Sequence, residues 1–190
     1  MRASRTGWFS VNGVQPGTRT LAYQIKGLGI LQREAAGRTV LDLGCAEGLV
    51  SQWLCDSGAI RADGIDYSQS RLAVGRTLVS DSVRLHLGDL SEVSCLPALA
   101  PSYDIVLLLA VLHKMAYPER LLDHAMAKCG SWLAVRAPAP VIEDRCNRRL
   151  DIAAHLNTHG FRTVQESDGH PDDVNVVDPK RSAWLGIFSW

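Results

Sequence analysis

Three short stretches of the chain set glycines beside carboxylates and apolar neighbours. The first is Asp42-Leu43-Gly44-Cys45-Ala46-Glu47-Gly48. Its glycines let the backbone turn tightly and let a ligand come close to it. A helix beginning at Gly48 would also present unpaired N–H groups. The second stretch is Asp66-Tyr67-Ser68, its acid twenty-two positions after Gly44. A carboxylate so placed can accept hydrogen bonds from both hydroxyls of a ribose, and Tyr67 offers a flat face to a base. The third is Gly88-Asp89-Leu90, an acid able to accept from an exocyclic amine beside an apolar side chain. A glycine turn, a ribose acceptor and an adenine acceptor in succession make a nucleoside-binding constellation.

His113, in Val111-Leu112-His113-Lys114-Met115, is the candidate for handling a proton, because imidazole titrates near neutral pH. The competing reading is that it caps a strand or lines a pocket. The remaining histidines (86, 124, 155, 159 and 170) show no metal-ligand spacing, so no metal is expected. His155 and His159 stand four apart, as on one solvated helix face. Cys45 has no evident activating partner and reads as packing. Arg145, Arg148 and Arg149 read as a solvated basic face.

These residues need a scaffold, and the hydrophobic pattern supplies one. From Arg38 onwards, strand and helix signals alternate. Strands are expected at Thr39–Leu43, Ala62–Asp66, Val83–Leu87, Asp104–Ala110 and Trp132–Arg136. Helices are expected over Gly48–Ser57, from an N-cap at Ser68 to about Val79, over Tyr117–Cys129, and from about Asp144 to Thr158. In the third of these helices Leu121, Leu122, Ala125 and Met126 face inward. In the last, Cys146, Leu150, Ala153 and Ala154 would form the apolar stripe. Two closing strands, Phe161–Glu166 and Ala183–Phe188, flank a polar loop and should pair antiparallel. The expected fold is α/β: a Rossmann-like, seven-stranded, mostly parallel sheet with an antiparallel C-terminal hairpin and helices on both faces. Ligands of such sheets bind beyond the carboxyl ends of the strands, where the strand order reverses. All three chemical stretches fall at such ends.

Ahead of the first strand, Trp8, Phe9, Asn12, Gly13, Pro16 and Gly17 suggest a loop-rich opening with two exposed aromatics. A helix carrying Leu21, Ile25 and Leu28 should follow, weakened by Gly27 and Gly29. The chain has 190 residues, 46% of them hydrophobic, and its 20 Lys+Arg offset 20 Asp+Glu. That balance argues for one well-filled domain and against gross attraction to nucleic acid or membrane. Five scattered cysteines with no CxxC pair fit reduced thiols in a cytoplasmic compartment. The opening residues lack the apolar run of a secretory signal, and the longest apolar run, Ile105–Leu112, is too short to span a bilayer.

In order and spacing, VLDLGCAEG, GIDYS, GDL and YDIVLLLAVLH resemble the class I S-adenosylmethionine-dependent methyltransferases over roughly Arg38–Arg136, and the closing hairpin extends the likeness. The resemblance implies S-adenosylmethionine as cofactor and S-adenosylhomocysteine as product. It places Asp42, Gly44, Cys45, Ala46 and Gly48 around the amino-acid half of the cofactor and Asp66 on the ribose. Tyr67, Asp89 and Leu90 would meet adenine, and Ala110 the methionine portion. Residues 1–37 would pack over the cofactor and substrate site, with 38–190 as the methyltransferase domain. Trp8, Arg19 and Lys114 become candidates for touching the acceptor, and His113 for a catalytic role. Ala46 departs from the family pattern, which has glycine there, and alanine is expected to be tolerated at a negative φ. A nicotinamide dinucleotide is the rival cofactor, but G-x-G-x-x-G from Gly44 would need glycine at Ala46 and Leu49.

For the acceptor, the sequence after the fourth strand lacks the proline pair of enzymes that methylate base amines. The Asp-Leu-Gly-Cys-Ala opening and Ser51-Gln52-Trp53 resemble RNA ribose methyltransferases. Their Lys-Asp-Lys-Glu tetrad is not matched, with His113 and Arg136 at two of its places and Glu166 available for the last. The leucine-histidine pair instead resembles the branch acting on metabolites. A small-molecule acceptor methylated at O, N or C is therefore expected. A tRNA or other RNA acceptor is the alternative, and a cofactor-binding module without turnover the third reading.

Overall fold

The computed structural model describes residues 7–11, 14–93, 96, 99–171 and 182–190. Asn12, Gly13, Cys95 and most of the polar loop expected between the last two strands lie outside the described residues.

The chain opens with β1 (Gly7–Phe9) and β2 (Gly17–Arg19), a short parallel ribbon, then α1 (Leu21–Gln24) and α2 (Gly29–Glu34). The alternating part follows: β3 (Thr39–Leu43), α3 (Leu49–Asp56), β4 (Arg61–Asp66), α4 (Gln69–Leu78), β5 (Val83–Leu87), β6 (Tyr103–Leu109), α5 (Pro118–Lys128) and β7 (Cys129–Ala137). A hairpin of β8 (Val141–Glu143) and β9 (Arg149–Asp151) leads to α6 (Ile152–Thr158), β10 (Arg162–Pro171) and β11 (Ser182–Ser189). Seven strands form the main sheet in the order β10-β11-β7-β6-β3-β4-β5, with β11 antiparallel to both neighbours. This is the Rossmann-like architecture that the sequence pattern implies.

Near-continuous apolar strands make sense because both faces are covered. Neighbouring residues of one strand serve opposite cores: Leu41, Val106 and Leu133 meet α5 and α6, while Val40, Ile105 and Ala134 meet α2, α3 and α4. Leu121, Leu122 and Ala125 are the buried face of α5, with Met126 packed at its margin. Asp104 ties the two central strands at their starts, accepting from Thr39 N and Oγ1 at 2.8 Å each. After β5 the chain returns to the other side of β3, so the strand order reverses between β3 and β6.

Three expectations need correction. The helix expected from Asp144 begins only at Ile152, and residues 141–151 form the hairpin. The Asp144 carboxylate is the cause: it accepts from Cys146 N at 2.8 Å, Arg148 N at 2.9 Å and Arg148 Nε at 2.7 Å. That local bonding competes with the helix, and Asn147 completes the turn at φ 59°. Cys146 is therefore exposed and not part of an apolar stripe. The helix expected after Arg19 is two short ones, broken where Gly27 takes φ 86°. Phe9 is not exposed; it is buried in the core beside α2 and α3, with Trp8 packed at the edge.

Candidate active site

One cavity of about 440 Å³ opens at the reversal point. That volume falls in the roughly 300–1,000 Å³ range of small-ligand pockets. Gly44 and Ala46 line it from the β3 end, Asp66 and Tyr67 from β4, Asp89 and Leu90 from β5, and Ala110 from β6. Seven of the residues singled out in the sequence thus meet around one space. Trp8 and Lys114 border it as well.

The β3 turn is built by backbone bonding. Gly44 N and Cys45 N both donate to Ile65 O, at 2.8 and 3.0 Å. Gly44 sits at φ 93°, and a Cβ there would stand 2.3 Å from Val111 Cγ2. Only glycine meets both demands. Ala46 lies at φ 52°, so the expectation of a negative φ is overturned. Its left-handed backbone costs about 1–2 kcal/mol for an alanine. The conformation is fixed because Ala46 N donates to Asp66 Oδ2 at 3.0 Å. Asp66 Oδ1 meanwhile accepts from Ser68 N at 2.8 Å, which starts the turn into α4. A carboxylate oxygen keeps a further lone pair, so both oxygens of this buried group can still accept from a ligand.

Asp89 is held by Ser91, whose N–H donates to Oδ1 at 2.9 Å. That bond and the Ser91 hydroxyl keep its carboxyl below the ordinary range. Tyr67 is 71% exposed at the cavity edge, a free aromatic face. Leu90 and Leu109 supply apolar wall, and Ala110 takes φ 65° immediately after β6.

Asp42, Cys45 and Gly48 stand behind the lining. Asp42 is buried, accepts from Ser51 Oγ at 2.8 Å, and has its carboxyl pushed up to about 7 by burial. Cys45 is buried, and burial pushes its thiol well up, which suits packing and not a nucleophile. Gly48 caps α3 at φ 76°, where a Cβ would meet Leu85 Cδ2 at 2.8 Å. His113 lies half-buried on a 3-10 turn, Leu112–Lys114, next to the lining residues Val111 and Lys114. Its ring is not part of the lining.

Glu47 was not singled out in the sequence, yet it organises the entrance. Its fully buried carboxylate accepts from Trp8 N at 2.8 Å, Phe9 N at 3.2 Å and Gln15 Nε2 at 2.8 Å. The ribbon of β1 and β2 is thereby tied to the β3 turn, and Trp8 is set at the cavity. A charged residue inside an otherwise small, apolar turn was the available signal. Arg136, also fully buried, donates to Gln24 Oε1 at 3.0 Å and Lys26 O at 3.2 Å, anchoring α1 over β7. Arg71, which the sequence pattern does not single out, and Met115 line the cavity too.

A seven-stranded sheet of this order, with a cavity at the reversal point, defines the class I Rossmann-like methyltransferase fold. Comparison with known proteins agrees. A family model described as a methyltransferase domain matches residues 40–134, half of the chain. A ubiquinone biosynthesis O-methyltransferase of Nitrosospira multiformis is 32% identical over 111 residues, covering 56% of this chain and 46% of that protein. The chain thus spans about half the length of this curated relative. Among solved structures, an S-adenosylmethionine-dependent methyltransferase from Mesorhizobium loti superposes with a TM-score of 0.67 at 18% identity, covering 90% of this chain and 99% of that one. Magnesium protoporphyrin IX methyltransferase from Synechocystis, with bound S-adenosylmethionine, gives 0.62 at 17% identity over 91% and 86%. The chain belongs to the methyltransferase domain family.

Proposed function

We propose that the chain binds S-adenosylmethionine in the cavity at the β3/β6 reversal and transfers its methyl group to a small-molecule acceptor. The observation that carries this reading is the convergence of Gly44, Ala46, Asp66, Tyr67, Asp89, Leu90 and Ala110 on one space of adequate size. The donor set fits the cofactor. Asp66 accepts from the ribose hydroxyls, Asp89 accepts from the adenine amine, and Tyr67 and Leu90 cover the base. The left-handed turn at Gly44 and Ala46 brings bare backbone to the amino-acid half.

The cofactor supplies an electrophilic methyl group on a sulfonium. The protein's part is alignment and exclusion of water. Trp8, tied down by Glu47, closes one side of the cavity, and Ala110, Val111 and Met115 wall the other. The segment ahead of residue 38 acts as a cover, through the β1/β2 ribbon that Glu47 ties down, and residues 38–190 as the methyltransferase domain. The position of His113 beside the lining residues Val111 and Lys114 supports it as the group that takes a proton from the acceptor. A small-molecule acceptor is supported by the ubiquinone biosynthesis relative and by the limited cover. Among the described residues no helix is long and apolar enough to cross a membrane. The four described cysteines are free thiols, which supports a reducing, cytoplasmic setting.

The test is calorimetric titration with S-adenosylhomocysteine, with NAD as the control. Micromolar binding of the former alone is expected, and binding of NAD instead would overturn the reading.

A further inference from the structure

The cavity has a buried floor and a rim that water reaches. Ala46, Asp66 and Ala110 form the floor, each at 4% exposure or less. Trp8 and Arg71 are half-buried and Lys114 is exposed, so these three lining residues belong to the rim. There the Trp8 indole meets side chains from both sides of β3. Arg71, on α4, follows β4, and its Cζ lies 5.8 Å from the ring centroid. Lys114, on the 3-10 turn, follows β6, and its Nζ lies at 4.9 Å. β4 and β6 are the two neighbours of β3 in the sheet. The ring therefore lies across the β3 end of the cavity and touches an element on either side.

The backbone under the ring is held. Trp8 N donates to the Glu47 carboxylate at 2.8 Å, and the next residue, Phe9, is buried in the core. The part left to move is the indole, which turns between staggered positions about its own side-chain bonds. Cation–π contacts hold it at the rim, each of them weak where water has access. Arg19 Cζ, 5.6 Å from the ring, adds one from the ribbon itself. A fixed hinge, a broad flat side chain and weak contacts on its two far sides are the parts of a gate.

We propose that the Trp8 side chain gates the cofactor cavity, held closed by Arg71 and Lys114, and that cofactor and product pass only when it rotates away. The inference rests on the cofactor reading of the cavity and adds to it how the two molecules exchange. A gate slows entry and exit together, because the same rotation precedes both. A wall contact slows exit alone.

Surface plasmon resonance, with the full chain immobilised and S-adenosylhomocysteine flowed over it, reads both rate constants. Trp8→Ala should raise association and dissociation about fivefold or more each, leaving Kd within about threefold. Lys114→Gln and Arg71→Gln each remove one latch and should raise both rate constants about two- to threefold. Lys114→Arg keeps a cation at the ring and should return them to the wild-type values. The latch variants alter rim side chains alone, so they carry the test if Trp8→Ala does not fold. Faster dissociation with unchanged association makes Trp8 a wall contact and overturns the proposal. Rate constants that no variant moves overturn it too, and a response to Trp8→Ala but to neither Gln variant overturns Arg71 and Lys114 as the latch. Wild-type protein that does not bind S-adenosylhomocysteine at all sinks the cofactor reading instead, a separate result.

Discussion

Asp42→Asn should make the protein more stable at neutral pH, by an amount that grows with pH. Asp42 lies at the end of a central strand, 3% exposed, with the Ser51 hydroxyl donating to it. Burial pushes its carboxyl from 3.8 up to about 7; the Ser51 bond opposes the rise and the nearby Asp66 charge adds to it. The folded chain therefore binds this proton more tightly than the unfolded chain. The resulting stability is whole below about pH 3.8 and is lost as pH climbs to about 7. A tenfold change in proton affinity is worth about 1.4 kcal/mol, so the full window is on the order of 4 kcal/mol. Asparagine has the same shape, can still accept from Ser51, and carries no such proton. Urea unfolding of both proteins without cofactor, at several pH values, isolates the effect because every other group titrates in both. The difference in unfolding free energy should move in favour of the asparagine variant by about 2–3 kcal/mol between pH 5 and pH 7, then level off. A difference that stays constant with pH would refute the reasoning.

Glu47→Ala strands three donors at once, so it should cost about 3 kcal/mol or more in urea unfolding and expose residues 7–19 to amide exchange. Asp66→Ala should weaken S-adenosylhomocysteine at least about tenfold by calorimetry, since it removes a buried charged acceptor that also pins the Ala46 turn. Gly44→Ala meets both a left-handed φ and the Val111 side chain; binding should fall at least about tenfold, and pairing it with Val111→Ala should recover only the part due to the clash. His113→Ala should lower turnover while leaving S-adenosylhomocysteine affinity in place, and equal turnover would make it a bystander.

The site was legible where chemistry and topology coincide. Acids and glycines that follow apolar runs must lie at strand ends, so Asp66, Asp89 and Gly44 could be placed together from spacing alone. The core strands were readable for the same reason, being bounded by glycine or aspartate. What escaped depends on partners distant in sequence or on side chains bonding to backbone. The β1/β2 ribbon hangs on a carboxylate 39 residues away, which no local pattern reports. The Asp144 turn displaces half of an expected helix through three hydrogen bonds of one side chain. Arg71 was hidden by the opposite problem: on a helix its charge looks like ordinary solvated surface, and only the fold turns it toward Trp8.

The β3 turn joins these two kinds of information in adjacent residues. The Ala46 peptide donates to Asp66, at the β4 end of the cavity, while the carboxylate of the next residue, Glu47, holds Trp8. Because the turn is short and its φ values are left-handed, one half cannot rotate without carrying the other. The Asp66 end of the cavity and its Trp8 rim are therefore set by a single piece of backbone. An alanine strained at φ 52° is the cost of keeping them in register, and the bond to Asp66 is what offsets it.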